Sequence, residues 1–511
     1  MTFGSISPNT KATWRTRAAR AMALLLNPPR HGGASRSAAV TSRADPAARE
    51  ADGPTASPAS PSDPSSLVPR PRSVRWLPGT VPVPERVTAV VGSATDAPAL
   101  DVLQDALHAA GVRVVRRIDD RTDPGPGLAV LVGGAKENAA TRASLDALGV
   151  QGAEAMAAEG YVLVVRNDRI VLAGADAAGT YYAAQTLRTL LRSRPAGTRG
   201  RLPAVEIRDW PGMRLRGITE GPPGPPRSHA ERLACLDWMG RNKLNLYVHA
   251  PQDDPYLHAA WRTPYPAHEL ARLGELVRRA GSHHIDVRCV VSPGPSLRCS
   301  DPAEAAALSA KFGALWGIGV RTFAVSFDRA DPLVGCNGSD RRAFGTGPAA
   351  AAAAQAYFAN AVLREFAAAH PGAAAPDVVP SESWDAAGPD YALRLARDLD
   401  ASVTVHWAVG GAARPVTRAE VAAARAVLGH ALLLRNGPPA DGPAPRRRLP
   451  RPYTGRDAGL AAPGRPGVAV GVAAEAVRDA WGAPHGPRTF ADYAWNDAEY
   501  DPERSCAVRS S

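Results

Sequence analysis

The chain has 511 residues, with 60 Lys and Arg against 49 Asp and Glu, for a net charge of +11. That length suits two or three domains, and the charge invites a nucleic-acid or membrane-surface reading. The distribution of the charge argues against it, because residues 1–75 hold 11 Lys and Arg but 4 Asp and Glu, seven of the eleven excess charges.

A second basic cluster, Arg446, Arg447 and Arg448 with Arg451 and Arg456, lies in a Pro-rich loop without the interleaved aromatics that single-strand binders use. No nucleic-acid partner is therefore expected. The five cysteines are odd in number and lack a CxxC spacing, so no disulfide framework follows. Cys289 falls in an apolar run and reads as a small buried residue. His283 and His284 are adjacent and diverge on any regular element, so no metal site is expected and no cofactor is implied. No apolar run approaches the roughly 18 residues of a membrane span.

In chain order, Arg15, Arg17 and Arg20 precede the apolar Ala21–Leu26, the order of a signal peptide. Export to a secreted location is the expectation. From Pro28 to Pro71 the chain is mostly Ala, Ser, Pro and Arg and cannot bury enough surface to offset its ordering entropy. Residues 1–76 read as leader and linker, 77–208 as a small α/β domain, 209–502 as a barrel and 503–511 as a tail. In the small domain, Val87–Val91, Val112–Val115 and Leu128–Val132 read as strands and Ala99–Ala110 as a helix. Tyr161–Val165 and Ile170–Ala173 flank the turn signal Arg166-Asn167-Asp168-Arg169, hence a hairpin, and Gly179–Leu191 reads as a closing helix. Gly133-Gly134 lacks a GxGxxG context and reads as a simple turn.

From Arg214 the pattern becomes strand, helix, strand, helix. The strands are Leu215–Thr219, Leu244–Val248, Val287–Ser292, Phe323–Phe327, Val378–Pro380, Val403–Trp407, Leu432–Leu434 and Val468–Val472. Helices are read at Ala230–Met239, Glu269–Ala280, Ala303–Trp316, Ala349–Ala369 and Arg418–Leu428. This suits a (β/α)₈ barrel preceded by a small α/β domain. An open doubly wound sheet is the alternative, since periodicity does not decide closure.

In such a barrel, chemistry belongs at the C-terminal strand ends. Those ends carry Glu220-Gly221, Gln252-Asp253-Asp254, Asp328-Arg329, Glu382, and Asn436 with Asp441. Carboxylates gathered at one mouth suit a carbohydrate cleft, although any one of them taken singly reads better as a helix N-cap or loop charge.

Several sequence words go further. They include Arg216-Gly217-Ile218-Thr219-Glu220-Gly221, Lys243-Leu244-Asn245-Leu246-Tyr247 and Ala250-Pro251-Gln252-Asp253-Asp254-Pro255-Tyr256. Others are Trp261-Arg262-Thr263-Pro264-Tyr265-Pro266, Ser292-Pro293-Gly294, Phe327-Asp328 and Tyr493-Ala494-Trp495-Asn496. Together they resemble the β-N-acetylglucosaminidases, a group that includes the O-GlcNAc hydrolases, from about Leu77 to Pro502. The resemblance implies a (β/α)₈ barrel and a retaining, substrate-assisted cleavage of GlcNAc glycosides, an exception to the two-carboxylate scheme. It implies that Asp328 orients the substrate acetamide, and that Gly221, Asn436 and Asp441 contact sugar.

The sequence also departs from that family's pattern. Arg329 stands where the second Asp should act as acid and base, and an Arg stays protonated at neutral pH. Gln252 replaces a substrate-contacting Lys, Ser383 a Tyr and Leu434 a Trp, and Ala469 lies where an Asn is expected. Asp331 is the nearest carboxylate that could take over the acid role. The expectation is a glycoside hydrolase with impaired catalysis, or alternatively a non-catalytic pseudoenzyme that binds a GlcNAc-containing glycan.

Overall fold

The computed structural model describes residues 67–192, 200–221, 226–327, 338–381, 389–408, 417–436, 471–475 and 486–507. The first unit is a seven-stranded sheet of β1 (Ser73–Pro82), β2 (Arg86–Val91), β3 (Val114–Asp119), β4 (Ala129–Val132), β5 (Tyr161–Arg166), β6 (Arg169–Gly174) and β7 (Arg201–Asp209). Its strand order is β1-β7-β5-β6-β4-β2-β3. Strands β2, β3, β4 and β6 run parallel, whereas β5 pairs antiparallel with β6 and β7, and β7 with β1.

Helices α1 (Ala97–Ala109) and α3 (Ala177–Arg192) pack on one face, and α2 (Ala139–Leu148) on the other. Covering both faces explains why Tyr161–Val165 is an unbroken buried run and does not alternate. The hairpin turns at Asn167, whose φ of +56° Asn accepts better than most residues. Gly133-Gly134 is a packed turn in which a Cβ on Gly134 would meet the Gly174 carbonyl oxygen at 2.5 Å.

Strands β1 and β7 have no counterpart among the sequence-read elements. β1 opens at Ser73, four residues before the point where the domain was expected, and Leu67 ahead of it is buried. Its Pro78-Gly79 interruption hides the strand period, and the paired register shifts there between Trp76 and Thr80.

The second unit is a closed barrel of eight parallel strands in the order β10-β11-β12-β13-β14-β15-β8-β9. They are β8 (Leu215–Glu220), β9 (Leu246–His249), β10 (Asp286–Val291), β11 (Thr322–Ser326), β12 (Asp377–Val379), β13 (Thr404–Ala408), β14 (Ala431–Asn436) and β15 (Gly471–Glu475). Closure, which periodicity left open against a doubly wound sheet, is made where β15 pairs with β8.

Around the barrel lie α4 (His229–Arg241), α5 (Ala267–Gly281), α6 (Pro302–Gly317), α7 (Gly338–Phe344), α8 (Pro348–Ala369), α9 (Pro389–Asp398), α10 (Arg418–Leu428), α11 (Gly486–Trp495) and α12 (Pro502–Ala507). Capping boxes at Ser228/Glu231 and Thr417/Glu420 start α4 and α10, satisfying backbone donors that the first helical turn leaves open. The eighth strand is described over Gly471–Glu475, and the first three residues of the expected Val468–Val472 lie outside the described residues.

Two apolar layers follow from strand alternation. Tyr247, Cys289, Val291, Phe323, Val325, Val405, Trp407, Leu434 and Val472 join the helices in the main core. Val248, Val290, Ala324, Val379, Leu433 and Ala473 fill the barrel itself. Gly217 allows the close approach of β8 and β9, since a Cβ there would lie 2.6 Å from the Leu246 carbonyl oxygen.

Candidate active site

Eight parallel strands bring all their C-terminal ends to one face. Gly221 follows β8 at that rim, Gln252 lies exposed on the loop after β9, and Asn436 is the last residue of β14. Strands β14, β15, β8 and β9 are consecutive in the barrel, so these three residues share one arc of the mouth. Asn436 is the register partner of Ala474 on β15. Among the described residues, a Cβ added to Gly221 would meet only Thr219 Cγ2, at 3.8 Å.

Beneath it Thr219 is buried, and its hydroxyl has no hydrogen-bond partner among the described residues. On β11, Ser326 is buried and Phe327 follows, with its N–H donating to the Val379 carbonyl at 2.9 Å. Asp328, Arg329, Asp331, Glu382, Ser383, Asp441 and Ala469 lie outside the described residues.

Glu220, a rim carboxylate in the sequence, is not available to a sugar. It is buried on the outer side of β8, where Arg232 of α4 donates through Nε at 3.0 Å and approaches through Nη2 at 2.9 Å. The Tyr247 hydroxyl also donates to Glu220, and His249 Nδ1 stands 3.7 Å from it. Burial alone would raise its pKa, but His249 and Arg232 outweigh burial and hold the carboxyl well below the usual carboxylate range. Glu220 therefore acts as a permanently charged clasp between β8, β9 and α4.

The neighbouring acids split similarly. Asp254 caps the 3-10 turn Pro255–Leu257 by accepting the Tyr256 N–H at 2.8 Å, and it also accepts the Tyr265 hydroxyl at 2.8 Å. Burial and the Asp254 charge push the Tyr265 phenol far above its ordinary value. Asp253 is exposed and lies 3.5 Å from Arg232. Lys311 of α6 donates to the Thr263 carbonyl beneath this loop, with its ammonium 4.6 Å from the Tyr265 ring centroid. Burial pushes its pKa down to about 8.

Between α4, α5 and this loop, on the outer side of β9, lies a cleft of about 430 Å³ that includes His249, Asp253, Tyr256 and Arg272. Deeper in the barrel, Asp377 of β12 accepts from Arg288 of β10 and sits 2.9 Å from His406 Nε2 of β13. Sequence reading singled out neither His249 nor this Arg–Asp–His group. The available signal was a charged or imidazole residue inside an otherwise apolar strand run, as in Val287-Arg288-Cys289-Val290-Val291. Cys289 is buried, and burial raises its thiol pKa. His283 and His284 diverge to Asp237 at 2.9 Å and Asp96 at 3.0 Å.

Comparison with known proteins adds a family. The β-N-acetylglucosaminidase family model matches residues 216–510, and that of glycosyl hydrolase family 20, domain 2, matches residues 64–210. Over 117 residues the chain is 32% identical to Protein O-GlcNAcase of Rattus norvegicus, covering 23% of this chain and 13% of that protein. It is 32% identical to N,N'-diacetylchitobiase of Vibrio harveyi over 116 residues, 22% of this chain and 12% of the other. The matched segment thus spans about an eighth of these curated relatives.

Among solved structures, CpGH84B superposes with a TM-score of 0.70 at 24% identity, covering 86% of this chain and 72% of its own, a likeness of fold. An O-GlcNAc hydrolase variant of Thermobaculum terrenum gives a TM-score of 0.51 at 28% identity, covering 57% of this chain and 61% of its own.

Proposed function

The chain belongs to the β-N-acetylglucosaminidase family of glycoside hydrolases, and on that premise we propose that its barrel mouth takes terminal GlcNAc glycosides with the protonation step impaired. The substrate's own 2-acetamido oxygen attacks the anomeric carbon, and the bond to the leaving oxygen breaks. Asp328 orients the acetamido N–H for that attack. The leaving oxygen then needs a proton, and Arg329 stands at the position where an acid would supply it.

The observation that carries this reading is the pair Asp328-Arg329 in the sequence, directly after Phe327, the last described residue beyond β11. A guanidinium cannot donate its proton at neutral pH, and general acid–base help is worth about 10²–10⁴-fold. Gly221, at the rim and uncrowded among the described residues, supports a retained sugar site. Asn436, Asp441 and Gln252 are the further substrate contacts of this reading, with Asp331 the replacement carboxylate nearest in sequence. The Arg15–Leu26 segment is read as an export signal, which N-terminal sequencing of the mature protein tests.

Two aryl GlcNAc glycosides test the mechanism, one with a strongly acidic phenol and one with a weakly acidic phenol as leaving group. The first departs without protonation and is the substrate expected to turn over. Equal turnover of both, lost in Asp328→Ala, would mean that another acid such as Asp331 replaces Arg329. Turnover of neither, with GlcNAc still bound, would favour the non-catalytic binder.

A further inference from the structure

Successive side chains of β8 alternate between the surrounding helices and the inside of the barrel. Ile218 belongs to the outer core and Glu220 faces Arg232 of α4, so Thr219 points into the barrel between Gly217 and Gly221. The stagger of the paired registers sets Thr219 level with Val290 of β10, Val379 of β12 and Arg435 of β14, a layer drawn from alternate strands. Toward the mouth its neighbours are the smallest residues, Gly221 on its own strand and Ala250 after β9, whose N–H donates to the Glu220 carbonyl at 3.2 Å. A Cβ on Gly221 would meet the Thr219 methyl at 3.8 Å, so the side that Gly221 leaves bare is the side on which Thr219 lies.

A hydroxyl is out of place in this setting. Thr219 is 1% exposed, its register partner is Val248, and its hydroxyl has no hydrogen-bond partner among the described residues. Valine has the same shape and would pack there without the standing cost of an unpaired buried hydroxyl. Such a group in a native fold calls for a partner, and the bare side of Gly221 is where one can enter. A sugar hydroxyl both donates and accepts, so it satisfies Thr219 whichever way the threonine O–H turns.

We propose that the Thr219 hydroxyl bonds a ring hydroxyl of the terminal GlcNAc seated over Gly221, and thereby selects among sugars by the hydroxyl it meets. The inference rests on the GlcNAc reading of the mouth and adds to it a contact from the barrel floor.

Titration calorimetry of the full chain with GlcNAc and its 3-deoxy, 4-deoxy and 6-deoxy forms tests it. Thr219→Val should bind GlcNAc about tenfold more weakly and melt no lower than the wild type. For one of the deoxy sugars the two proteins should bind alike, because the hydroxyl that Thr219 meets is gone. Thr219→Ser keeps the hydroxyl and should recover most of the affinity.

Wild-type affinity for GlcNAc in Thr219→Val would overturn the inference and leave the hydrolase reading standing. So would an equal loss for GlcNAc and every deoxy sugar, the mark of altered packing. A Thr219→Val protein that melts lower or fails to fold would also overturn it, since the hydroxyl would then be serving the fold. Absence of GlcNAc binding by the wild type would instead sink the reading of the mouth, and this contact with it.

Discussion

Lys243 Nζ lies 3.0 Å from Asp209 Oδ2, a fully buried ion pair that joins the barrel to the end of β7 in the small domain. The same ammonium donates to the Tyr161 hydroxyl at 2.8 Å, and the Trp495 indole N–H donates to Asp209 at 2.9 Å. Burial lowers the pKa of Lys243 while Asp209 opposes the shift. Beside it, Arg216 is fully buried and paired with Glu159 at 2.7 Å. Three segments far apart in sequence therefore share one polar knot, with Lys243 held at a φ of +58°.

Removing one member of such a pair leaves a buried charge uncompensated, which typically costs about 3–5 kcal/mol. Asp209→Ala is expected to destabilise the protein by that amount in urea unfolding monitored by circular dichroism. A loss below about 1 kcal/mol would mean that the knot is solvated and that the two units are held together by apolar contact.

Stability should also fall as the solution is acidified from about pH 6.5. Burial holds the imidazoles of His406, His430 and His283 below their ordinary value. Between that lowered pKa and the unfolded value of about 6.5, the unfolded chain binds more protons, so stability declines as pH falls. Each histidine contributes at most about 1.4 kcal/mol per pH unit. Asp237 acts lower on the scale. Burial raises its pKa, but Arg279 and His283 pull it below the ordinary value, so its contribution is lost only as pH falls through that lowered pKa. Melting temperatures between pH 7.5 and 5 check this, and a flat profile would contradict burial of these histidines as neutral groups.

The two glycines of β8 and its rim should respond oppositely to alanine. At Gly217 a Cβ would clash with the Leu246 backbone at 2.6 Å, and Gly217→Ala should cost about 1–3 kcal/mol. At Gly221 the added carbon meets only Thr219 Cγ2, at 3.8 Å, among the described residues, so Gly221→Ala should melt with the wild type yet weaken GlcNAc binding. If both variants melt alike and bind alike, Gly221 does not border the sugar site.

Restoring the missing acid is the sharpest test of the proposed mechanism. Arg329→Asp is expected to raise turnover of the glycoside with the poor leaving group by about 10²–10⁴-fold. The glycoside with the acidic phenol should gain little. An unchanged ratio of the two rates would show that protonation does not limit this protein.

By itself the sequence determined the barrel strands, the β5–β6 hairpin and α10, because their signals are local. Strand runs of β-branched residues, the Asn167-Asp168 turn and the Thr417/Glu420 capping box are set by neighbours a few residues away. It also located the rim positions Gly221, Gln252 and Asn436, since the ends of parallel strands must lie on one face.

Only the tertiary structure decided that the sheet closes through β15 and β8, that β1 belongs to the small domain, and that Glu220 is a buried clasp. Each of these depends on a partner distant in sequence. The charge on Glu220 reads the same whether it faces a sugar or Arg232. What separates the two is the side of β8 on which α4 packs, and that is settled by burial of a whole helix face, which no short stretch of sequence encodes.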